Sequence, residues 1–247
     1  MSIERILLTG ASSDLAGALI ERLVRWDPRP EVLAHHNSSP DRIQRLQERH
    51  GAVIKEFQAN LSIPEETERL VEAIRQRWGH PQGIVHFPAL PFRLERFPKW
   101  DQKRFLTDLS IQVFSLGQIL RAFLPDMAKS GRRCKVVFLL SAVVHGSPPK
   151  FMSMYTVVKY AQLGLMRSVA AEYAGTDVSV NALSPSMVET RFLSGIAGKA
   201  VELSASQMPH GKNLEPGEVA SALEFLLSPS SDGLHGVDMP LTDGSVI

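Results

Sequence analysis

Short apolar runs alternate along the chain with longer segments whose apolar residues recur at helical spacing. The first run, Ile3 to Leu8, ends in Thr9-Gly10-Ala11-Ser12-Ser13-Asp14. Behind it LAGALIERLVRW places Leu15, Leu19 and Leu23 on one stripe, with Ala16, Ile20 and Val24 alongside. Further strands are predicted over Glu31 to His35, Ala52 to Phe57, Gly83 to Phe87, Lys135 to Leu140 and Val178 to Leu183, with a last short one over Gly236 to Leu241. Helices fill the intervals. DRIQRLQERH has Ser38 or Ser39 as a cap and Pro40 at its first position, and a second helix opens on Pro64 with acidic residues in its first turn. Asp101 to Lys129 reads as one or two helices apolar enough to be covered on two sides, and VASALEFLLS follows Glu215-Pro216-Gly217-Glu218. Arg191 to Asn213 shows no clear period. Strands alternating with helices throughout predict an α/β fold, one doubly wound parallel sheet with helices on both faces, in a single domain over residues 1–247.

Composition narrows the function classes. A chain of 247 residues with 44% apolar content buries a large core, and a formal charge of +1 without basic blocks argues against nucleic acid or a membrane surface as partner. No apolar run approaches the roughly 20 residues of a membrane span, and the charges at Glu4 and Arg5 argue against a leader peptide. A single cysteine, Cys134, rules out an internal disulfide and suits a cytoplasmic protein. The histidines are scattered, so no metal site is expected.

The candidate chemistry lies between Ser141 and Lys159. Tyr155 and Lys159 stand four apart in a predicted helix, on one face and one turn apart. An ammonium beside a phenol favours the phenolate, so the pair is expected to exchange a proton with a carbonyl or carbinol oxygen held by Ser141 at the facing strand end. The spacing alone also suits a half-buried aromatic beside a solvated cation. Strand, small-residue turn and helix at Gly10, Ser12, Ser13, Asp14 and Leu15 form the context in which backbone N–H groups cradle a pyrophosphate. Only Gly10 and Gly17 are glycines there, so the strict Gly-x-Gly-x-x-Gly rule fails. No acidic residue sits near His36 or Asn37 to clasp two ribose hydroxyls; His35, His36, Asn37 and Ser38 leave room for a 2′-phosphate, which favours NADP(H) over NAD(H), although a surface turn uses the same residues.

The Thr9-Gly10 loop, Ser141, Tyr155-xxx-Lys159 and Val180-Asn181-Ala182-Leu183-Ser184-Pro185, in this order over essentially the whole chain, resemble the short-chain dehydrogenase/reductase family, most of all its 3-oxoacyl-acyl-carrier-protein reductases. The resemblance implies a Rossmann-type fold and an NADP(H)-dependent ketoreductase. It makes Tyr155 the proton donor, Lys159 the group that lowers its pKa and holds the nicotinamide ribose, and Ser141 the group that orients the substrate oxygen. Pro185, Ser186, Val188 and Thr190 would line the nicotinamide side, and Asn60 and Leu61 the adenine. The family's Asn-Asn-Ala-Gly strand end is replaced by His86-Phe87-Pro88-Ala89, with Pro88 and Ala89 on the cofactor side. Asp14 and Ala16 occupy two of the family's glycine positions, and the family's relay asparagine falls at Gln112.

A carboxylate at position 14 opposes a pyrophosphate unless it turns away or caps the helix. Asp14, Gln112 and the missing Asn-Asn-Ala-Gly therefore keep a second reading open, a nucleotide-binding scaffold or regulator without turnover. Residues 190–213 are placed to lid the site, and Phe192, Leu193, Ile196 and Met208 with Phe151, Met152 and Met154 suit either an apolar substrate or lid packing. Arg93, Arg96 and Lys99 lie on the rim where an acyl carrier protein would dock a thioester, whereas Arg132, Arg133 and Lys135 read as solvated charges on the opposite rim. The resemblance also implies a homodimer or homotetramer.

Overall fold

The computed structural model describes residues 3–245. Seven strands, β1 (Arg5–Thr9), β2 (Glu31–His36), β3 (Ile54–Gln58), β4 (Gly83–His86), β5 (Cys134–Leu139), β6 (Val178–Pro185) and β7 (Asp238–Leu241), form one sheet in the order β3-β2-β1-β4-β5-β6-β7. Every pairing is parallel. Eight helices connect them: α1 (Asp14–Leu23), α2 (Asp41–His50), α3 (Pro64–Trp78), α4 (Gln102–Leu109), α5 (Ser115–Lys129), α6 (Ser153–Glu172), α7 (Gly198–Gln207) and α8 (Pro216–Leu227). No helix among the described residues is long and apolar enough to cross a membrane.

Because both faces are covered, successive strand residues enter different cores, which is why the strands read as unbroken apolar runs. In β1, Ile6 and Leu8 join α1, α2 and α8 through Leu19, Ile43 and Leu223, while Leu7 joins α3, α5 and α6 through Ile74, Phe123 and Met166. The strand order reverses between β1 and β4, and this switch opens a crevice at the carboxyl ends of the strands.

Local chemistry shifts several predicted boundaries. The third strand begins at Ile54 because Gly51–Val53 is a 3₁₀ turn. Neither Ser38 nor Ser39 caps α2; Pro40 takes that place without a side-chain bond. Lys135 is not solvated: it is buried, with Nζ 2.6 Å from Asp232 Oδ1 and donating to Ser231 Oγ at 3.2 Å. Between α4 and α5 the chain forms a π turn, Ser110–Phe114. The aperiodic segment after β6 holds a 3₁₀ turn, Arg191–Gly195, and α7, which buries none of its residues and so carries no apolar stripe.

Candidate active site

Ser141 ends the extended backbone after β5, and its Oγ caps the short turn Ala142–Val144 by accepting from Val143 N–H. Tyr155 and Lys159 lie on the first two turns of α6, which faces that strand end. The three predicted residues come together. Burial pushes the Tyr155 phenol up to about 12, hydrogen bonding with Ser141 works against the rise, and the Asp108 carboxylate adds to it. This corrects the expected direction: Lys159 Nζ sits 5.6 Å from the Tyr155 ring centre and donates to Leu139 O and Gln162 Oε1, both at 2.9 Å, so desolvation wins over the ammonium. Burial also lowers Lys159 to about 8, with Asp108 opposing.

Gln112 is buried in the π turn, but its amide does not reach Lys159; Nε2 donates to Asp108 Oδ1 at 2.8 Å and Oε1 has no partner. The link runs instead through the main chain. A π turn withdraws one carbonyl from its helical partner, and Gln162 Nε2 donates to Gln112 O at 3.0 Å while its Oε1 receives Lys159. Neither Gln162 nor Asp108 belongs to a motif in the sequence; the three-residue step from Lys159 to Gln162 on one helical face is the one available signal. Over Tyr155 lie two aromatic rings, Phe92 from the β4–α4 loop at 5.1 Å and Phe192 from the turn after β6 at 6.2 Å between centroids.

On the other side of the crevice Gly10 takes φ +67°, and a Cβ there would lie 3.0 Å from Pro88 N. Two buried histidines hold this turn. Gly10 N–H donates to His35 Nδ1 at 3.1 Å, leaving Nε2–H to donate to Ala59 O; Thr9 Oγ1 donates to His86 Nδ1 at 2.7 Å, leaving Nε2–H for Ile111 O. Burial keeps both neutral, His35 at about 4 and His86 at about 3. Ser13 caps α1 by accepting from Ala16 N–H, and Asp14 and Leu15 begin the helix. The Asp14 carboxylate turns to Arg42 and Arg191, two partners that no sequence motif announces.

The profile of the family described as enoyl-(acyl carrier protein) reductase matches residues 30–245. The chain belongs to the short-chain dehydrogenase/reductase family. It is 24% identical over 238 residues to the 3-oxoacyl-[acyl-carrier-protein] reductase of Vibrio cholerae, covering 96% of this chain and 95% of that one. The Thermotoga maritima enzyme of the same name is 25% identical over 249 residues, covering 98% and 97%. A crystal structure of 3-ketoacyl-(acyl-carrier-protein) reductase from Brucella melitensis complexed with NADH has the same fold, with a TM-score of 0.89 at 20% identity over 100% of this chain and 99% of that one. A short-chain dehydrogenase from Burkholderia cenocepacia in complex with NADP reaches 0.86 at 20% identity, covering 98% and 97%.

Members of this family bind a nicotinamide cofactor, and the donors present in this chain fit one. The positive φ of Gly10 and the amino end of α1 directly behind it suit a diphosphate. Ser186 Oγ, just beyond Pro185 at the end of β6, is buried without a partner. Val188 is buried, pairs with Leu214, and accepts from Thr190 Oγ1 through its carbonyl. Other predicted contacts are already engaged. Asn60 Oδ1 accepts from Ser62 N–H and Oγ, and Leu61 is buried in the core. His36 is buried with Nε2 2.8 Å from Glu56 Oε1, so β3 brings a carboxylate to the end of β2 that the β2 sequence lacks. Asn37 and Ser38 are exposed, and Pro88, past the end of β4 and followed by Ala89, lies beside Gly10.

Proposed function

We propose that this dehydrogenase/reductase is an NADP(H)-dependent ketoreductase that reduces 3-oxoacyl thioesters and related ketones to secondary alcohols. The observation that carries the reading is the convergence of Ser141, Tyr155 and Lys159 at the carboxyl end of the sheet, beneath Phe92 and Phe192. A phenol held near 12 is fully protonated at neutral pH and is poised to give its proton to an oxygen gaining negative charge. Ser141 orients that oxygen and Lys159, still an ammonium below about pH 8, places positive charge behind the phenol. When bound, the reduced nicotinamide supplies the hydride. The aromatic rings exclude water from Tyr155 and favour an apolar acyl chain. The neutral, exposed Asn37 and Ser38 support the 2′-phosphorylated cofactor, with the Glu56 carboxylate at this strand end set against the His36 ring.

The names of the Vibrio and Thermotoga relatives support a carrier-bound substrate. Arg93, Arg96 and Lys99 are exposed on the same rim, and Arg96 borders an open groove of about 620 Å³ with Phe97, Pro148, Lys150, Phe151 and Val157. Reversing all three charges is expected to raise KM for a carrier-bound thioester about tenfold and leave a free thioester unchanged; equal KM values would refute docking there. Exposed Leu106, Phe114, Val157 and Tyr160 support a homodimer or homotetramer, which light scattering reads directly. Buried Cys134 fits a cytoplasmic setting.

Fluorescence titration with NADPH and NADH, followed by absorbance loss with 3-oxoacyl thioesters and simple ketones, tests the function. NADPH oxidation that vanishes in Tyr155→Phe supports the reductase. A tight NADPH complex that turns over none of the panel favours the scaffold reading, and absence of binding by either cofactor refutes both.

A further inference from the structure

Asp14 stands at a position where the family carries glycine, and two stretches far from it in the chain meet on its carboxylate. Arg191 N–H donates to Oδ2 at 2.7 Å, Arg191 Nε donates to Oδ1 at 3.1 Å, and Arg42 Nη2 also donates to Oδ1. Both guanidiniums reach past it to the loop itself, Arg191 Nη2 donating to Ser12 O at 2.9 Å and Arg42 Nε at 3.2 Å. The Asp14 side chain is only 16% exposed. Arg42 arrives by lying across α1 at Gly17, where a Cβ would sit 2.9 Å from its Cδ and 3.0 Å from its Nη1.

Arg191 is also the first residue of the turn that covers the catalytic side. One residue on, Phe192 packs on Phe92 and near Tyr155, and its carbonyl accepts from Phe92 N–H at 3.2 Å. The turn closes on that loop so tightly that a Cβ at Gly195 would lie 2.6 Å from Phe92 O. One carboxylate therefore anchors the turn that places Phe192 over Tyr155. Each guanidinium has five N–H donors and spends two in these contacts, so the pair keeps donors for a second anion.

We propose that Asp14 is a positioning residue that ties the Arg191–Gly195 turn to the cofactor loop and holds Arg42 and Arg191 as a ready anion site, for which a nucleotide diphosphate then competes with the carboxylate. The proposal rests on the reading that a dinucleotide binds this loop. A diphosphate carries more charge than one carboxylate and presents more acceptor oxygens to the same planar forks, so it draws the guanidiniums away. The diphosphate then takes the guanidinium share of the tie, which leaves the Arg191 N–H to Asp14 Oδ2 bond to hold the turn more loosely. Asp14 thus sets nucleotide affinity and the order of the turn in opposite directions.

Hydrogen exchange of residues 191–195 and calorimetric titration with ADP and NADPH, on the full-length protein, test this. Asp14→Asn is expected to speed exchange in the free protein and to bind ADP more tightly, each by about tenfold. Asp14→Glu should restore protection, and Arg191→Ala, which removes the guanidinium contacts and keeps the main-chain N–H to Oδ2, should loosen the turn by less than Asp14→Asn and weaken ADP. Arg42→Ala should weaken ADP and leave the turn protected. Unchanged exchange in both Asp14→Asn and Arg191→Ala overturns the tie. Looser exchange in Asp14→Asn with weaker ADP binding overturns the competition, because a merely structural carboxylate would lose both together. If the wild type binds neither NADPH nor NADH, the proposed function fails and the competition with it, while the exchange rates still decide whether Asp14 holds the turn.

Discussion

The two sides of the crevice are built on different principles. On the α6 side the working groups are neighbours in sequence: Tyr155, Lys159 and Gln162 lie on consecutive turns of one helix and face one strand end. On the α1 side the loop departs from the family at Asp14, and the compensation comes from Arg42 and Arg191, 28 and 177 residues away. A charge at the entrance to a helix is thus neutralised by distant cations, and no local motif registers that. The difference teaches that a local glycine count does not register partners that arrive from far along the chain.

The largest effect should fall on the α6 side. Tyr155→Phe is expected to slow thioester reduction about 10²- to 10⁴-fold while NADPH affinity stays within about twofold; a comparable loss of affinity would mean that the two sides are not separable. Acid should attack the α1 side. His35 and His86 stay neutral when folded, at about 4 and about 3, but take protons from about pH 6.5 once unfolded. The unfolded chain then binds more protons, so stability falls as pH drops from 6.5 toward 4 and on toward 3, with His35 accounting for roughly 3 kcal/mol. Urea midpoints across that range should be flatter in His35→Gln. Gly10→Ala forces a side chain into a left-handed backbone against Pro88 and should cost about 1–2 kcal/mol in the same assay, with weaker cofactor binding. The smallest effect is expected from Gln162→Ala, about 1 kcal/mol in kcat/KM. Burial has already lowered Lys159 to about 8, so reduction should fade above that pH. Losing the Gln162 acceptor should move that alkaline limb to lower pH and Gln162→Glu should move it higher. Identical limbs in both variants would separate Lys159 from the pH profile.

The sheet was readable from the sequence because each β-strand is a continuous apolar run between helical stripes, and strand ends moved only where a turn such as Gly51–Val53 intervened. Ser141, Tyr155 and Lys159 were readable as a group because short spacings on one helix and one strand end fix their meeting. The polar contacts of Lys135 were hidden, since nothing local announces that Ser231 and Asp232 will return to the foot of β5. The direction of the Tyr155 shift was also hidden, because it depends on how much water the folded core removes and on which acceptors Lys159 finds there. Gln112 meets Gln162 through its main-chain oxygen rather than its amide, and side-chain identity says nothing about that.

The π turn at Ser110–Phe114 has a further meaning for how this chain tolerates change. One residue more than the α repeat accommodates is a phase shift of about 100° between the helical turns on its two sides. Upstream, α4 buries none of its residues and offers Asp108 to the crevice; downstream, α5 buries seven, from Ser115 to Met127, against its neighbours. Deleting a single residue there would let the helix close its ordinary ladder, yet it would rotate Asp108 off the site and reclaim the carbonyl lent to Gln162. The insertion works as a frame marker, and a chain that loses it keeps its helix while misaligning everything the helix was meant to aim.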